Sequence, residues 1–399
     1  MGEHHETPSD GHVIPPLPDL TAVFSAPVRG GFHAVMQRDD TTDGSLHQLF
    51  LDADGDPRLP GTSPTGRSLR GTVCFEDVVG VGHVRGAVPE HLYYVRHTSD
   101  DHRIDIYFAE QEEAAEGEET CVLTLHRQVW PGIPAEVEAL STITGRFAPD
   151  LLAHLELEHE GQQYVLGSLR CISSGLNALE YTRMGIAAHV FSHCQGIDLG
   201  QTLRFIHDSL LMAFPYEWVP AASVMQRLEN RLDTFIRSAP ELTDHATWIR
   251  EWYRSINGEM LMQRLHGNVQ LEEMWLEDDG RWLIGGWEGE LGLPLEERTR
   301  LGSPLEDLAS LQRSLFRACG GSHPWCIKAM GSIFEGYGSS MMSAPFSAYM
   351  LDRACEEIAA DTVRTGGAST IPLGFLKWFR DFMLPQQESL HPTEFLRPA

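Results

Sequence analysis

The sequence predicts an α+β protein of two lobes preceded by an N-terminal β cap. Three observations carry that expectation. Short apolar runs separated by turn residues fill the first 170 or so positions. From Arg183 onward the apolar residues recur near the 3.6-residue helical period. Within that helical half sits one non-helical block: a polar loop, a hairpin-like charged turn and a second loop. The first loop reads Leu265-His266-Gly267-Asn268-Val269-Gln270-Leu271-Glu272-Glu273-Met274, and the turn is Glu277-Asp278-Asp279-Gly280. The second loop follows Trp282-Leu283-Ile284 and reads Gly285-Gly286-Trp287-Glu288-Gly289-Glu290.

Taken in order, residues 1–20 are His-, Asp- and Pro-rich without periodicity and are expected as a disordered tail. Residues 21–90 are expected as the cap, with strands near 22–24, 32–36, 47–51 and 71–75. Residues 91–182 form a β-rich lobe, with strands at 92–97, 103–108, 121–126, 151–157 and 163–169 and one helix at 135–143. The acidic run between Glu110 and Glu119 reads as a solvated loop, and 173–182 as a link. Residues 183–399 form the helical lobe, with helices expected at 199–213, 223–237, 246–264, 304–319 and 348–364. A Ser303-Pro304 start signal precedes the fourth.

Composition narrows the function classes. The chain has 399 residues, enough for two or three domains, and 42% hydrophobic content fits a globular protein. No apolar run reaches eighteen residues, and the polar first ten residues do not read as a signal peptide, so the cytoplasm is the expected location. Seven dispersed cysteines without a Cys-x-x-Cys pair predict reduced thiols. A net charge of −27 disfavours nucleic acid and anionic membranes as partners. Lysine is confined to Lys328 and Lys377.

The loop pair resembles that of the maltokinase branch of the aminoglycoside-phosphotransferase-like kinases. There the first loop runs His-Gly-Asp-x-His-x-Gly-Gln and the second Asp-Phe-Glu-Gly-Glu. Leu123-Thr124-Leu125-His126-Arg127, followed by Pro131-Gly132-Ile133 and Glu138, is similar to the family's Leu-Lys-Leu-Phe-Arg…Pro-Gly-Val…Glu. Further likeness lies in Leu179-Glu180-Tyr181-Thr182, in Leu199-Gly200-Gln201 with His207, and in Ser303-Pro304-Leu305-Glu306-Asp307. Leu351-Asp352-Arg353-Ala354 and Ile371-Pro372-Leu373 extend it toward the end. The resemblance covers about residues 120 to 375 and implies a protein-kinase-like two-lobe fold.

Carried over position by position, the resemblance implies a lost chemistry. Phosphoryl transfer needs a Lys on the phosphates, an acidic residue for the acceptor proton, oxygen ligands for Mg²⁺ and a tight backbone loop. Thr124 stands at the Lys position, Asn268 at the catalytic Asp and Gly286 at the metal Asp. An amide takes no proton at neutral pH, and losing a general base costs about 10²–10⁴ in rate. Glu138 keeps the helix Glu position, and Arg127 or Arg96 is the substitute cation for a nucleotide. Glu273 and Glu288 are the metal ligands only if the site is active, and Mg-ATP belongs to that alternative alone. Trp287, His266 and Glu290 are the candidate sugar contacts.

Other motifs are weaker. Residues 61–68 mimic a phosphate loop but read as a Pro/Gly turn, and 52–56 mimic a calcium loop without its closing Glu. His189 and His193, with Cys194, have metal-like spacing but no evident third ligand. The aromatics Trp275, Trp282, Trp287, Trp325, Tyr337 and Trp378 read mainly as core. The expectation is a maltokinase-like pseudokinase without bound nucleotide. Its partner would be a carbohydrate-metabolism enzyme or a sugar, near trehalose, maltose or α-glucan metabolism. An active ATP-dependent transferase with a rebuilt site and a carbohydrate-binding module are the alternatives.

Overall fold

A computed structural model of the chain describes residues 20–28, 31–38, 44–52, 79–111, 118–143, 146–289, 298–321, 324–340, 343–367 and 370–383. The expected tail up to residue 19, the turns at 53–56 and 61–68, the strand at 71–75 and Glu290 lie outside them. The described chain divides into two compact units. The first takes in residues up to Val137 together with Leu151–Ile172, and the second Glu138–Asp150 together with residues from Ser173 onward.

In the first unit, β1 (Leu20–Val28), β2 (Gly31–Arg38) and β3 (Leu46–Leu51) form an antiparallel meander. Then come β4 (His83–Gly86), β5 (Tyr93–Ser99), β6 (Arg103–Ala109), β7 (Cys121–His126) and β8 (Gln128–Val129). The short helix α1 (Ala135–Leu140) and the hairpin β9 (Leu151–His159) and β10 (Gln162–Cys171) complete it. One sheet has the order β1-β2-β3-β8 and the other β4-β9-β10-β7-β6-β5. Every residue of β7 is buried, Thr124 and His126 included, as its place in the middle of a covered sheet requires.

The expected cap does not stand apart from the sheet behind it. Val35, Leu46 and Phe50 share one apolar core with Leu123, Leu125, Leu155 and Leu166. Gln48 fastens the two sheets, its amide donating to the carbonyls of His126 (2.6 Å) and Leu166 (2.7 Å). Its own carbonyl faces Nε2 of fully buried His33 at 2.8 Å. His33 Nδ1 accepts the Val81 N–H and the ring stacks on Phe50. The partners fix the neutral tautomer with the proton on Nε2.

The second unit opens with β11 (Leu176–Asn177), α2 (Ala178–Ala188), α3 (His193–Ala213) and β12 (Tyr216–Pro220). It continues with α4 (Ala221–Ser238), α5 (Thr243–Ser255), β13 (Glu259–Gln263), β14 (Met274–Leu276) and β15 (Trp282–Ile284). Helices α6 (Pro304–Ala318), α7 (Pro324–Tyr337), α8 (Ala344–Thr365) and α9 (Thr370–Trp378) follow. α3 and α7 meet through glycines. A Cβ on Gly200 would lie 2.0 Å from the Ile333 carbonyl oxygen, and one on Gly336 equally close to that of Ile197.

Two expectations are corrected here. The helix expected over 246–264 ends at Ser255, because Asn257-Gly258 turns the chain and 259–263 becomes a strand paired with β12. The link expected over 173–182 contains the start of α2, capped by Asn177 accepting the Leu179 N–H at 3.0 Å. Helices α7 and α9 were not expected from the periodicity. His189 closes α2 in a left-handed conformation and His193 begins α3, so this pair does not share a helix face.

His33 yields a pH prediction. Burial pulls its pKa down to about 4, against a smaller raising effect of Gln48. The unfolded chain therefore takes up its proton first as pH falls, so the contribution of His33 is full above about pH 6.5 and is lost toward pH 4. That loss is worth about 3 kcal/mol. Urea unfolding of a His33→Gln variant at pH 7 and pH 4.5 should show a shallower acid loss of stability than the unsubstituted protein. Parallel losses would remove His33 as the cause.

Candidate functional site

The loop pair is built in the second unit on one buried carboxylate. β13 delivers the chain into the first loop, and the hairpin β14–β15, paired Met274 to Ile284, carries it to the second. Ser303 caps α6 through the Leu305 N–H, which places Asp307 in the helix's first turn. Asp307 is buried and accepts the backbone N–H of His266 (3.0 Å) on one oxygen and that of Gly267 (2.9 Å) on the other. The first of these oxygens also takes Nε2 of His207 at 3.1 Å. Burial works to raise the Asp307 pKa, but the His207 bond, both imidazoles and the Gly267 N–H hold it below the usual carboxylate range.

His266 passes the constraint to the second loop. Its Nε2–H donates to the Gly285 carbonyl at 2.6 Å, and its Nδ1 accepts the Asn268 N–H at 3.2 Å. Those roles need a neutral ring, and burial does depress its pKa, with Asp307 and Gly285 pulling the other way. Trp287 packs against the imidazole, ring centroids 4.3 Å apart, and its indole N–H donates to Ile284. Of the two described sugar-contact candidates, both His266 and Trp287 are therefore buried structural residues with their polar atoms engaged. Trp282, Trp325 and Tyr337 are buried as well, whereas Trp378 is exposed.

At Asn268, where the sequence resemblance sets the catalytic Asp, the side-chain carbonyl oxygen accepts from the Gln270 amide at 2.5 Å. Gly286, where the sequence resemblance sets the metal Asp, has φ +73°, and a Cβ there would lie 2.8 Å from Cγ of Glu273. The Glu273 side chain fills the space that an aspartate side chain at this position would enter. Glu288 is buried, and its charge acts on Arg298, whose pKa burial otherwise depresses. Glu138 lies 3.2 Å from Arg264, the buried arginine two residues before His266. Burial depresses the Arg264 pKa and Glu138 counters it.

The remaining candidates belong to the first unit. Thr124 is fully buried and its hydroxyl donates to Asp105 at 2.7 Å. Asp105, Thr124 and Ser168 are directly opposite one another on β6, β7 and β10, so they share one sheet face. Ser168 donates to Glu136 at 2.7 Å, and Arg170 and Arg103 balance the two carboxylates at 2.9 Å and 3.1 Å. Arg127 spends its guanidinium on the Asp100 carbonyl and the Ser99 hydroxyl, both at 2.7 Å. Arg96 pairs with Glu119 at 2.6 Å. Sequence reasoning did not single out Asp105, Glu136, Gln270 or Asp307 as site residues. Only Asp307 carried a local signal, the Ser-Pro-Leu-Glu-Asp helix start, and that signal reads as capping rather than as an anchor.

No protein-family model matches the chain. Among solved structures it is similar to glucosamine kinase in crystal form B, at a TM-score of 0.62 and 14% identity, covering 96% of this chain and 98% of that one. Glucosamine kinase in complex with glucosamine, ADP and inorganic phosphate matches at a TM-score of 0.57 and 15% identity, over 94% and 95%. Aminoglycoside phosphotransferase APH(3'')-Id from Streptomyces rimosus is matched at 13% identity over 65% of this chain and 92% of that one. Its TM-score of 0.36 adds nothing to the assignment. The chain has a mixed α+β fold like that of the glucosamine kinase structures. Its likeness to glucosamine kinase is one of fold. Among the described residues no helix is long and apolar enough to cross a membrane.

The contact of Gly286 with Glu273 is testable by a double-mutant cycle. Gly286→Asp should cost about 1–3 kcal/mol by overpacking, beside a backbone cost of about 1–2 kcal/mol for a side chain at φ +73°. Glu273→Ala should relieve the overpacking and leave the backbone cost, giving a coupling of about 1 kcal/mol or more in chemical denaturation. Additive effects would contradict the packing described.

Proposed function

We propose that this chain is a pseudokinase of maltokinase-like descent, a phosphotransferase fold whose role is binding or regulation rather than phosphoryl transfer. The observation that carries the reading is the contrast inside one loop pair. The scaffold of Asp307, His266 and Gly285 is fully hydrogen-bonded. The chemical positions are refilled, with the Asn268 carbonyl held by Gln270 and the space beside Gly286 taken by Glu273. The loop motifs support a role near trehalose, maltose or α-glucan metabolism, exercised on a sugar or on an enzyme that handles one. Without Asp at 268 there is no base for the acceptor hydroxyl, a deficit of about 3–5 kcal/mol in the barrier.

One observation favours a second reading. Glu273 Cδ lies 3.2 Å from where a residue-286 Cβ would sit, so the carboxylate has moved to another backbone position rather than vanished. In that reading Glu273 is an oxygen ligand for Mg²⁺ in a rebuilt transferase site. Glu288, which is buried and whose charge acts on Arg298, is the second candidate ligand of that reading.

ATP consumption with maltose, trehalose, glucosamine and an aminoglycoside as acceptors separates the two. The unsubstituted protein should consume no ATP above the acceptor-free background. The variant Thr124→Lys/Asn268→Asp/Glu273→Gln/Gly286→Asp restores the resembling family's residues, with Gln at 273 where that family has it. Acceptor-dependent turnover by the unsubstituted protein, abolished by Glu273→Ala, would overturn the pseudokinase reading and establish the second.

A further inference from the structure

A cavity of about 200 Å³ in the second unit is lined by Val224, Arg227, Leu228, Arg231, Arg300, Glu306 and Tyr349. It draws on α4, α6 with the segment before it, and α8, and uses none of the residues at the chemical positions of the loop pair. Three arginines on one cavity are notable in a chain of net charge −27. Their partners leave capacity over. Arg300 gives one terminal nitrogen to Glu306 at 2.6 Å. Arg231 uses Nε and one terminal nitrogen on Asp352 and Glu356. Arg353 is also tied to Glu356, at 2.6 Å. Arg227 is exposed and has no ion-pair or hydrogen-bond partner among the described residues. Four arginines thus face three carboxylates, and the local sign is positive.

A second, independent feature sits at the same place. Tyr349 is 1% exposed and its hydroxyl has no hydrogen-bond partner among the described residues. That hydroxyl lies within the fields of Glu306, Arg227, Arg300 and Asp352. Burial, with Glu306 next, pushes its pKa up, so it remains a neutral donor. The Nε of Arg353, one helical turn along α8, is likewise buried without a partner. A buried hydroxyl left unpaired costs about 1–3 kcal/mol, and native structures keep such groups where an ion, a water or a ligand completes them. Guanidinium groups with spare N–H donors and a neutral hydroxyl are the donor set that suits a tetrahedral oxyanion.

We propose that this cavity binds a small tetrahedral oxyanion, inorganic phosphate or the phosphoryl group of a small metabolite, held by Arg227, Arg231 and Arg300 with the Tyr349 hydroxyl as a further donor. The site goes beyond the pseudokinase reading, because none of its residues stands at a position of phosphoryl transfer. Glu306 keeps Arg300 in place.

The test is calorimetric titration of the full chain with inorganic phosphate and with glucose 6-phosphate, at constant ionic strength in chloride. Saturable binding at or below millimolar concentration is expected, with a rise in Tm. Arg227→Ala, at an exposed position, should weaken binding about tenfold, the loss of one charge-assisted contact. Tyr349→Phe should weaken it as well while leaving the ligand-free Tm unchanged or higher, since it removes an unpaired hydroxyl. A tyrosine that serves the fold alone would instead lower the ligand-free Tm and leave phosphate affinity unchanged. Tighter binding of glucose 6-phosphate marks the phosphoryl ester as the ligand, and tighter binding of phosphate marks the free anion. Absence of saturable binding for both probes, or binding indifferent to both substitutions, overturns the proposal.

Discussion

The second unit's loop pair depends on the Asp307 carboxylate. Two backbone N–H groups and one imidazole converge on it in a place without solvent. Each hydrogen bond to a charged group is worth about 1.5–3 kcal/mol. An unpaired charge at that depth would cost more than any of them returns. The carboxylate is placed by the first turn of α6, which Ser303 caps. Through His266 its influence reaches the Gly285 carbonyl, and so fixes the backbone immediately before Gly286. Both loops therefore have a defined shape whatever stands at positions 268 and 286.

On the proposed reading, that independence lets the frame persist without the chemistry. Asn268 stands in a loop whose shape is held by main-chain bonds, and Gln270 supplies the amide its carbonyl needs. Gly at 286 accommodates a positive φ, and the Glu273 side chain occupies the vacated volume. In the first unit the same logic applies at Thr124. Its hydroxyl joins a buried polar row with Asp105, Ser168 and Glu136, balanced by Arg103 and Arg170. Each refilled position is satisfied by its neighbours, which is what packing and hydrogen-bond satisfaction demand of a stable fold.

Much of this was legible in the sequence, and the illegible part has a physical reason. β7 and β10 announce themselves as short strand-like stretches with apolar centres, and α4, α6 and α8 as stretches of helical period. The α5–β13 break was hidden because Met260, Leu261 and Met262 continue an apolar pattern across the Asn257-Gly258 turn. α2 was hidden by polar surroundings, although Asn177 is a good cap. Positions 124, 268 and 286 could be singled out because motif spacing survives substitution. Their new partners could not, since Asp105, Gln270 and Glu273 become neighbours through strand register and loop closure rather than through sequence order. The union of cap and β-rich lobe in one core likewise rests on Gln48, a polar residue in a strand that periodicity assigns no special role.

The arginine-lined cavity belongs to a different part of the same unit, and its polar groups are less fully satisfied than those of the loop pair. The central claim, a preserved frame with disabled chemistry, bears most directly on nucleotide affinity. Equilibrium titration of the unsubstituted protein with a fluorescent ATP analogue, with and without millimolar Mg²⁺, measures it. The account predicts no saturable, Mg²⁺-dependent binding at micromolar nucleotide. Micromolar binding that requires Mg²⁺ and disappears in Glu273→Ala would contradict it, because the carboxylate beside Gly286 would then be a working metal ligand.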